Sequence, residues 1–303
     1  MLHGIAFKYF LEVAQTGSLS GASQRLHVAV SAISRQIAHL EEEVGAPLFA
    51  RAPRGMVLSP AGKLLLAHAR RMQLESEDVL KEIAALQGER QDRIRLAASS
   101  GPARGILPVT MAEFHRDYPA TCFTLGVLSP QEAMRLTIEG EVDISVNFMV
   151  EEARGVDVRY SQRAPVCAVM AAGHPLAGRS RIVLEDLRGY PLALTDSNST
   201  ARHLLRRVGA LDALHMTPVL ESNHTEALRS FVMHSQAVTF AGYVSVACQP
   251  EYKGLVVRPI ADIELQSRRL EILVMQGRQL PQAAERFVER LIARLEELDA
   301  HRL

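Results

Sequence analysis

The stretch from Pro60 to Gln87 constrains this chain more than any other. Apolar residues recur there every seven positions at Leu65, Met72, Val79 and Leu86, with Ala69 and Ile83 four residues after two of them. Pro60 suits the first turn of a helix and Gly88 its end. Three heptads, roughly, make a coiled-coil-like seam. At 1.5 Å per residue the rod is ~40 Å long. A rod with one apolar stripe and polar flanks needs a cover for the stripe. A second copy of the chain is the simplest one, and packing onto its own domain is the alternative.

Ahead of the rod, short helices sit between tight punctuation. "IAFKYFLEVAQTG" places Ile5, Phe10, Val13 and Ala14 at helical spacing, with Gly17 as a left-handed cap. "SLSGASQRLHV" predicts a second helix with Ser20 as N-cap, and "SAISRQIAHLEEEVG" a third, ended by Gly45. Two short helices joined by a tight turn suggest helix-turn-helix. "PLFARAPRGMVLSPAG" then has apolar ends around an Arg-Pro-Arg-Gly middle, the chemistry of a hairpin with a basic tip. Between Met1 and Arg71 eight basic residues face only Glu12, Glu41, Glu42 and Glu43, although the whole chain of 303 residues is neutral. A basic end on a neutral protein is a modest nucleic-acid signal.

Behind the rod, "QGERQDR" reads as a linker, and from Ile94 the pattern alternates strand and helix. Strands are expected at "RIRLAAS", "CFTLGVL", "VDISVNF", "PVCAVMAA", "PLALT", "VLES", "AVTF", "LVVRPI" and "RRLEILVM". Helices are expected from "ASSG" to about Tyr118, over "PQEAMRLTIEG", from about Ser199, over "HTEALRSFVM" and from about Gln282 to Leu298. Such alternation predicts a largely parallel sheet with helices on both faces, in two halves. Cys122, Cys167 and Cys248 lie far apart, no Cys/His spacing suggests zinc, and neither metal nor cofactor is expected. No signal-peptide core and no apolar run of ~18–20 residues occurs, so a soluble, cytoplasmic protein with no membrane partner is expected.

Five blocks, in order and at fitting separations, resemble the LysR-type transcriptional regulators: "GSLSGASQRLHV", "AISRQIAHLEEEVGAPLFAR", "LSPAGKLLLAHARR", "EGEVDIS" and "HPLAGRSRIVLEDLRGYPLAL". The resemblance runs end to end. It implies an α-rich winged helix-turn-helix over residues 1–59 and a linker and dimerisation helix over 60–88, then a hinge at 89–93. A two-lobed α/β effector domain like the type 2 periplasmic binding proteins would follow, with lobe 1 at 94–162 and 267–303 and lobe 2 at 163–266. Implied partners are double-stranded DNA, a small-molecule effector, further copies of the chain in a dimer and then a tetramer, and RNA polymerase.

In such a protein the recognition helix enters the major groove with its N-terminal residues at base edges. Ala29, Ser31, Ala32 and Ser34 are small enough to let the helix sit deep. Ser31, Ser34 and Gln36 offer hydrogen bonds, and Arg35 reaches phosphate or guanine. The acids at 41–43 fall past the groove and read as a solvated face. The family's usual Ser-Gln-Pro or Thr-Gln-Pro/Ser is replaced by Ala29-Val30-Ser31. Val30 cannot hydrogen-bond a base but can press on a thymine methyl. With the usual cap gone, Ser31 is expected to cap a slightly later helix start. Arg51 and Arg54 would sit on the wing against the DNA backbone or minor groove.

In two-lobed α/β domains ligands bind at strand C-termini near helix starts. Those positions hold Ser99 and Ser100, Ser129, Asn147, then Thr195, Ser197, Asn198, Ser199 and Thr200, and Asn223. Hydroxyls and open backbone N–H groups predict an anionic effector, while ordinary N-capping explains any one of them singly. Arg202 reads as an exposed helix arginine, His224 equally as surface or contact residue, and Gln236 as a residue that alters cleft access. Effector binding would shift a population of lobe arrangements by a coupling of ~1–3 kcal/mol. A DNA-architectural protein with a non-sensing cleft is the open alternative. An enzyme is disfavoured, because no G-x-S-x-G, H-E-x-x-H or phosphate-binding loop appears.

Overall fold

A computed structural model describes residues 4–52, 55–86, 92–209, 217–247 and 254–300. The chain forms two compact units, Met1–Ile83 and Ala84–Leu303.

The first unit contains α1 (Ile5–Thr16), α2 (Leu19–Leu26), α3 (Val30–Val44), β1 (Phe49–Ala52), β2 (Gly55–Leu58) and the long α4 (Pro60–Leu86). Gly17 and Gly45 end α1 and α3 in the left-handed conformation (φ 65° and 74°). Phe10, Val13, Ala22, Ile33, Ile37, Leu40 and Leu48 form its core. Two cap expectations are corrected. Ser18, extended at φ −155°, caps α2 by accepting the Gly21 N–H at 2.9 Å, and Ser20 lies inside the first turn. Ala29, which has no capping side chain, precedes α3, so Ser31 is the helix's second residue and not a late cap. The preceding turn sets this start: His27 is left-handed (φ 53°) and the Val28 N–H bonds Ser23 O at 3.2 Å.

The acid run is corrected in part. Glu42 and Glu43 are exposed, but Glu41 accepts the Leu48 and Phe49 N–H groups at 2.7 and 3.2 Å and ties α3 to the hairpin. The hairpin docks on the α1–α2 turn, with the Met56 N–H bonded to Gly17 O at 2.8 Å. A Cβ at Gly55 (φ 123°) would lie 2.4 Å from that same oxygen, so only glycine fits. The heptad stripe of α4 divides. Leu65 and Ala69 pack onto the unit's own core, whereas Val79 (53% exposed), Leu80 (65%) and Ile83 (49%) stay uncovered.

The second unit runs β3 (Asp92–Ala98), α5 (Ser100–Arg104), α6 (Ile106–Asp117), β4 (Thr121–Val127), α7 (Pro130–Ile138), β5 (Ile144–Met149), β6 (Val156–Arg163) and β7 (Cys167–Ala171). It continues with β8 (Leu192–Thr195), α8 (Thr200–Arg207), β9 (Pro218–Ser222), α9 (Thr225–Met233), β10 (Thr239–Ala241), α10 (Val244–Ala247), β11 (Leu255–Pro259), β12 (Arg269–Met275) and α11 (Gln282–Ala300). One sheet has the order β4-β3-β5-β12-β6. The other joins β10-β7-β11 to the β8-β9 pair through a Leu192–Val238 bridge.

The expectation of largely parallel sheets is corrected. β12 is antiparallel to β5 and β6, and β7 is antiparallel to β10 and β11; β3 with β4 and β5, and β8 with β9, are parallel. The chain crosses from the first sheet to the second between β6 and β7 and crosses back between β11 and β12, and this second crossing is what brings β12 into the first sheet antiparallel to its neighbours. The two crossings bond each other, Ala164 N–H to Arg268 O at 2.8 Å and Val166 N–H to Leu265 O at 2.9 Å. β6 is a strand that periodicity did not predict. The helix expected to run to about Tyr118 is broken at Gly105 into α5 and α6.

Asp143 anchors the first sheet. It is 4% exposed and accepts the Arg95 N–H, Arg95 Nη2 and Arg278 Nη1, each at 2.8 Å. Burial opposes its ionisation, but the hydrogen bonds and charge of Arg95 and the charge of Arg278 outweigh it and hold the carboxyl below its ordinary value.

Candidate functional site

Helix α3 buries Ile33, Ile37 and Leu40 and turns the opposite side outward. Ala29, Val30 (41% exposed), Ser31 and Arg35 are exposed, and Ala32, Ser34 and Gln36 lie half-buried on its flanks. Arg35 Nε donates to Ser31 O at 3.3 Å, so both belong to one outward stripe. Ala38, exposed between buried Ile37 and exposed His39, extends that stripe and was not singled out in the sequence. Among the described residues no side chain caps the helix start, which leaves first-turn N–H groups open to an external acceptor. On the hairpin, Arg51 is in β1 opposite Met56, and Arg54 lies outside the described residues.

In the second unit a cavity of about 310 Å³ lies between the two sheets. Of the residues expected there, Ser99, Ser100, Ser129, Thr195, Asn198, Ser199, Thr200 and Asn223 line it. A neighbouring cavity of about 230 Å³ shares Pro130, Phe148, Asn198, Ser199 and Thr200 with the first, and Ser197 lines only this second one. Asn147 lines neither and is corrected. Strand residues alternate faces. Phe148 reaches the cavity, so Asn147 turns the other way, fully buried opposite Glu271 on β12.

Several hydroxyls have structural duties. Ser129 caps α7 by accepting the Glu132 N–H at 3.3 Å, and Ser199 caps α8 by accepting the Arg202 N–H at 3.1 Å. Thr195 and Ser199 bond each other through their hydroxyls. The starts of α7, α8 and α9 therefore converge on one space, through Ser129 and Pro130, Ser199 and Thr200, and Asn223 and Thr225. Converging helix starts favour negative charge. Asp196 also lines the cavity, engaged with Asn198.

Two expectations outside the main set change, for Arg202 and Gln236, and the open one for His224 resolves to a surface residue. Arg202 is 7% exposed and bonds Glu221 at 3.3 Å, so it is a buried residue. His224 is exposed at the start of α9 and is not a lining residue. Gln236 does not line the cavity; its carbonyl accepts a bond from His174 at 3.2 Å. Sequence reasoning missed Arg229 and Ser245, both of which line the cavity. Arg229, 3% exposed, donates through Nη2 to Ser245 O at 2.7 Å and through Nη1 to Glu226 at 3.3 Å. Glu226 also pairs with Arg104 of α5, which links the two lobes beside the cavity. An arginine inside an amphipathic helix and a serine on a four-residue helix carry no local signal; only the fold brings them here.

An outward helix above a winged hairpin, joined by a long helix to a two-lobed α/β unit, is the architecture of a helix-turn-helix regulator with a ligand cavity. The chain belongs to the LysR family: residues 6–63 match the bacterial regulatory helix-turn-helix protein, lysR family, and residues 87–296 match the LysR substrate binding domain. It is 24% identical over 287 residues to the HTH-type transcriptional activator CmpR of Synechocystis sp., covering 95% of this chain and 94% of that one. It is 27% identical to a probable nitrogen assimilation transcriptional activator of Synechococcus elongatus, covering 87% and 86%. Two solved structures share the fold. Full-length OxyR from Pseudomonas aeruginosa, as a single-residue variant, has TM-score 0.61 at 20% identity over 94% of this chain and 93% of that one. CbnR complexed with its target DNA has TM-score 0.55 at 19% identity over 95% and 98%.

Proposed function

We propose that this LysR-type transcriptional regulator reads duplex DNA with the outward face of α3 and responds to a small anionic effector held between its lobes. The convergence of three helix starts on the cavity of about 310 Å³ carries the effector reading. Base contacts fall to Val30, Ser31, Ala32, Ser34, Arg35 and Gln36, and phosphate contacts to Arg51 and Arg54, with Ala29 leaving room at the helix start. The uncovered Val79, Leu80 and Ile83 on α4 supply a face for a second copy of the chain. An architectural protein with a non-sensing cleft would share α3 but gain nothing from a ligand.

The test has two arms. Binding-site selection with the purified chain should return a preferred duplex with thymine beside Val30; a selection without thymine preference in either half-site removes that contact. A thermal-shift screen of carboxylic acids, amino acids and aromatic catabolites should then yield at least one stabilising anion that alters affinity for the selected duplex. A ligand that stabilises without altering DNA affinity would refute the regulatory coupling.

A further inference from the structure

Rotation of one sheet against the other has to be taken up at the two crossings that join them. One side chain spans both. Arg268, in the second crossing, is 2% exposed. Its Nε donates to Ala164 O at 2.8 Å and its Nη2 to Pro165 O at 3.2 Å, both in the first crossing. Its own carbonyl accepts the Ala164 N–H at 2.8 Å. A buried guanidinium is costly unless its donors are used and its charge is met. Carbonyl oxygens use the donors, and Arg268 Cζ lies over the Phe148 ring, 4.2 Å from the centroid. Arginine combines a planar fork of donors with a face that stacks, which a lysine does not.

Phe148 is a wall residue of both cavities. The ring is hemmed in where side chains are missing. A Cβ on Gly101 of α5 would lie 2.7 Å from Phe148 Cε2. One on Gly242 would lie 3.2 Å from Phe148 Cζ and 2.8 Å from Arg268 Nη2. Ring, guanidinium and the backbone at 242 thus form one close-packed stack, and packing of this kind transmits displacement. Contact runs without a gap from the cavities through Phe148 and Arg268 to the carbonyls of the first crossing.

We propose that Arg268 is a positioning residue that couples the cavities to the crossings. A ligand pressing on the Phe148 ring reseats the guanidinium, and the reseated guanidinium changes its hold on the Ala164 and Pro165 carbonyls. The sensing role rests on the effector reading above, whereas the link from ring to crossings stands on the packing alone.

Hydrogen exchange of the full chain, followed by mass spectrometry, tests the link without any ligand. Phe148→Leu removes the ring and none of the carbonyl bonds. It should speed exchange of the Ala164 and Val166 amides, which bond Arg268 O and Leu265 O, by about tenfold. Arg268→Lys keeps the charge but loses the planar face and should do the same. The double variant should be no faster than the faster single one, because ring and guanidinium act as a unit. Gly242→Ala, which sets a methyl against Arg268 Nη2, should reproduce the rise. Amides of β3 and β7 should keep the parent rate throughout. Unchanged crossings in Phe148→Leu overturn the proposal. So does a rise spread evenly over both sheets, which would mean lost packing only, and so do additive effects in the double variant. Succinate, benzoate and citrate then probe sensing. A carboxylate that raises the parent's melting temperature should alter exchange at the crossings in the parent and leave it unaltered in Arg268→Lys. An equal change in both chains overturns the coupling while leaving an anionic effector intact. No stabilisation by any of the three overturns the anionic reading and the sensing role with it, but not the link from ring to crossings.

Discussion

The two units use small residues for opposite ends. At the start and along the outer side of α3, Ala29, Ser31, Ala32, Ser34 and Ala38 keep the surface low, with Ser31 exposed and Ser34 half-buried. In the effector unit, Ser99, Gly101, Gly242 and Ser245 keep a seam tight, and the buried hydroxyls of Ser99 and Ser245 have no hydrogen-bond partner among the described residues. A surface that must slide into a groove needs absence of bulk and tolerates water. A cavity that must discriminate needs polar groups that water does not already satisfy.

The largest effect should come from Asp143, which belongs wholly to the second unit. Asp143→Asn leaves Arg95 and Arg278 without their carboxylate, and breaking a buried pair this way costs about 3–5 kcal/mol. Denaturant unfolding should show that loss in the effector unit, while DNA affinity in the native baseline holds if the two units are energetically separate. The lowered pKa of Asp143 gives the matching pH dependence. Its stabilisation is complete above the unfolded value of about 3.9 and disappears as pH falls through the lower folded value.

The opposite unit should show the reverse pattern. Ser31→Glu places a carboxylate on the exposed stripe of α3, where it would meet phosphates and base acceptors. Affinity for the selected duplex should fall by at least the ~1–3 kcal/mol that a lost base contact costs. Melting temperature should barely change, because Ser31 is exposed. Unchanged DNA affinity would move the reading surface off this face.

What the sequence reveals and what it hides follows the same divide. Helices α1, α3 and α4 and the hairpin were legible because Gly17, Gly45, Pro60 and the apolar spacings act locally. Eight of the ten polar residues expected at the cleft line the main cavity, because strand ends and helix starts meet there in any such sheet. The misses are non-local. β6 is an edge strand whose alternation in "VDVRYSQR" is masked by its charges. Asn147 sits at the correct strand end on the wrong face, although the alternation of Ile144, Val146 and Phe148 carried that parity. Arg229 enters through α9, which packs on the second sheet, and Ser245 through α10, which packs against α5 and the core of the first.

A smaller effect separates positioning from reading on the hairpin. Arg51→Ala or Arg54→Ala should weaken binding to all duplexes alike. Each should reduce the slope of log affinity against log salt by about 0.9, one phosphate's worth. Sequence preference, which we assign to α3, should not move. A changed preference with an unchanged slope would make these residues base readers.

The smallest effect should come from His174, in the second unit but away from the cavity. The ring is 5% exposed, and its Nδ1 accepts the Leu176 N–H at 3.1 Å. The proton must therefore sit on Nε2, from which it donates to Gln236 O at 3.2 Å. Only the neutral ring serves both partners, since protonating Nδ1 removes the acceptor that Leu176 uses. Burial lowers the pKa, and the bond to the Gln236 carbonyl offsets only part of this. With the folded value below the unfolded one of about 6.5, the unfolded chain binds more protons in the window between them. Stability should thus decline as pH falls from 7 through about 6.5 toward the folded value, in contrast to Asp143, which acts only under far stronger acid. His174→Gln keeps a donor for Gln236 O but does not titrate. The difference in unfolding free energy between parent and variant, followed from pH 8 downward, should shift in favour of the variant across that window. A difference that stays constant with pH would mean that the ring exchanges its proton equally in both states.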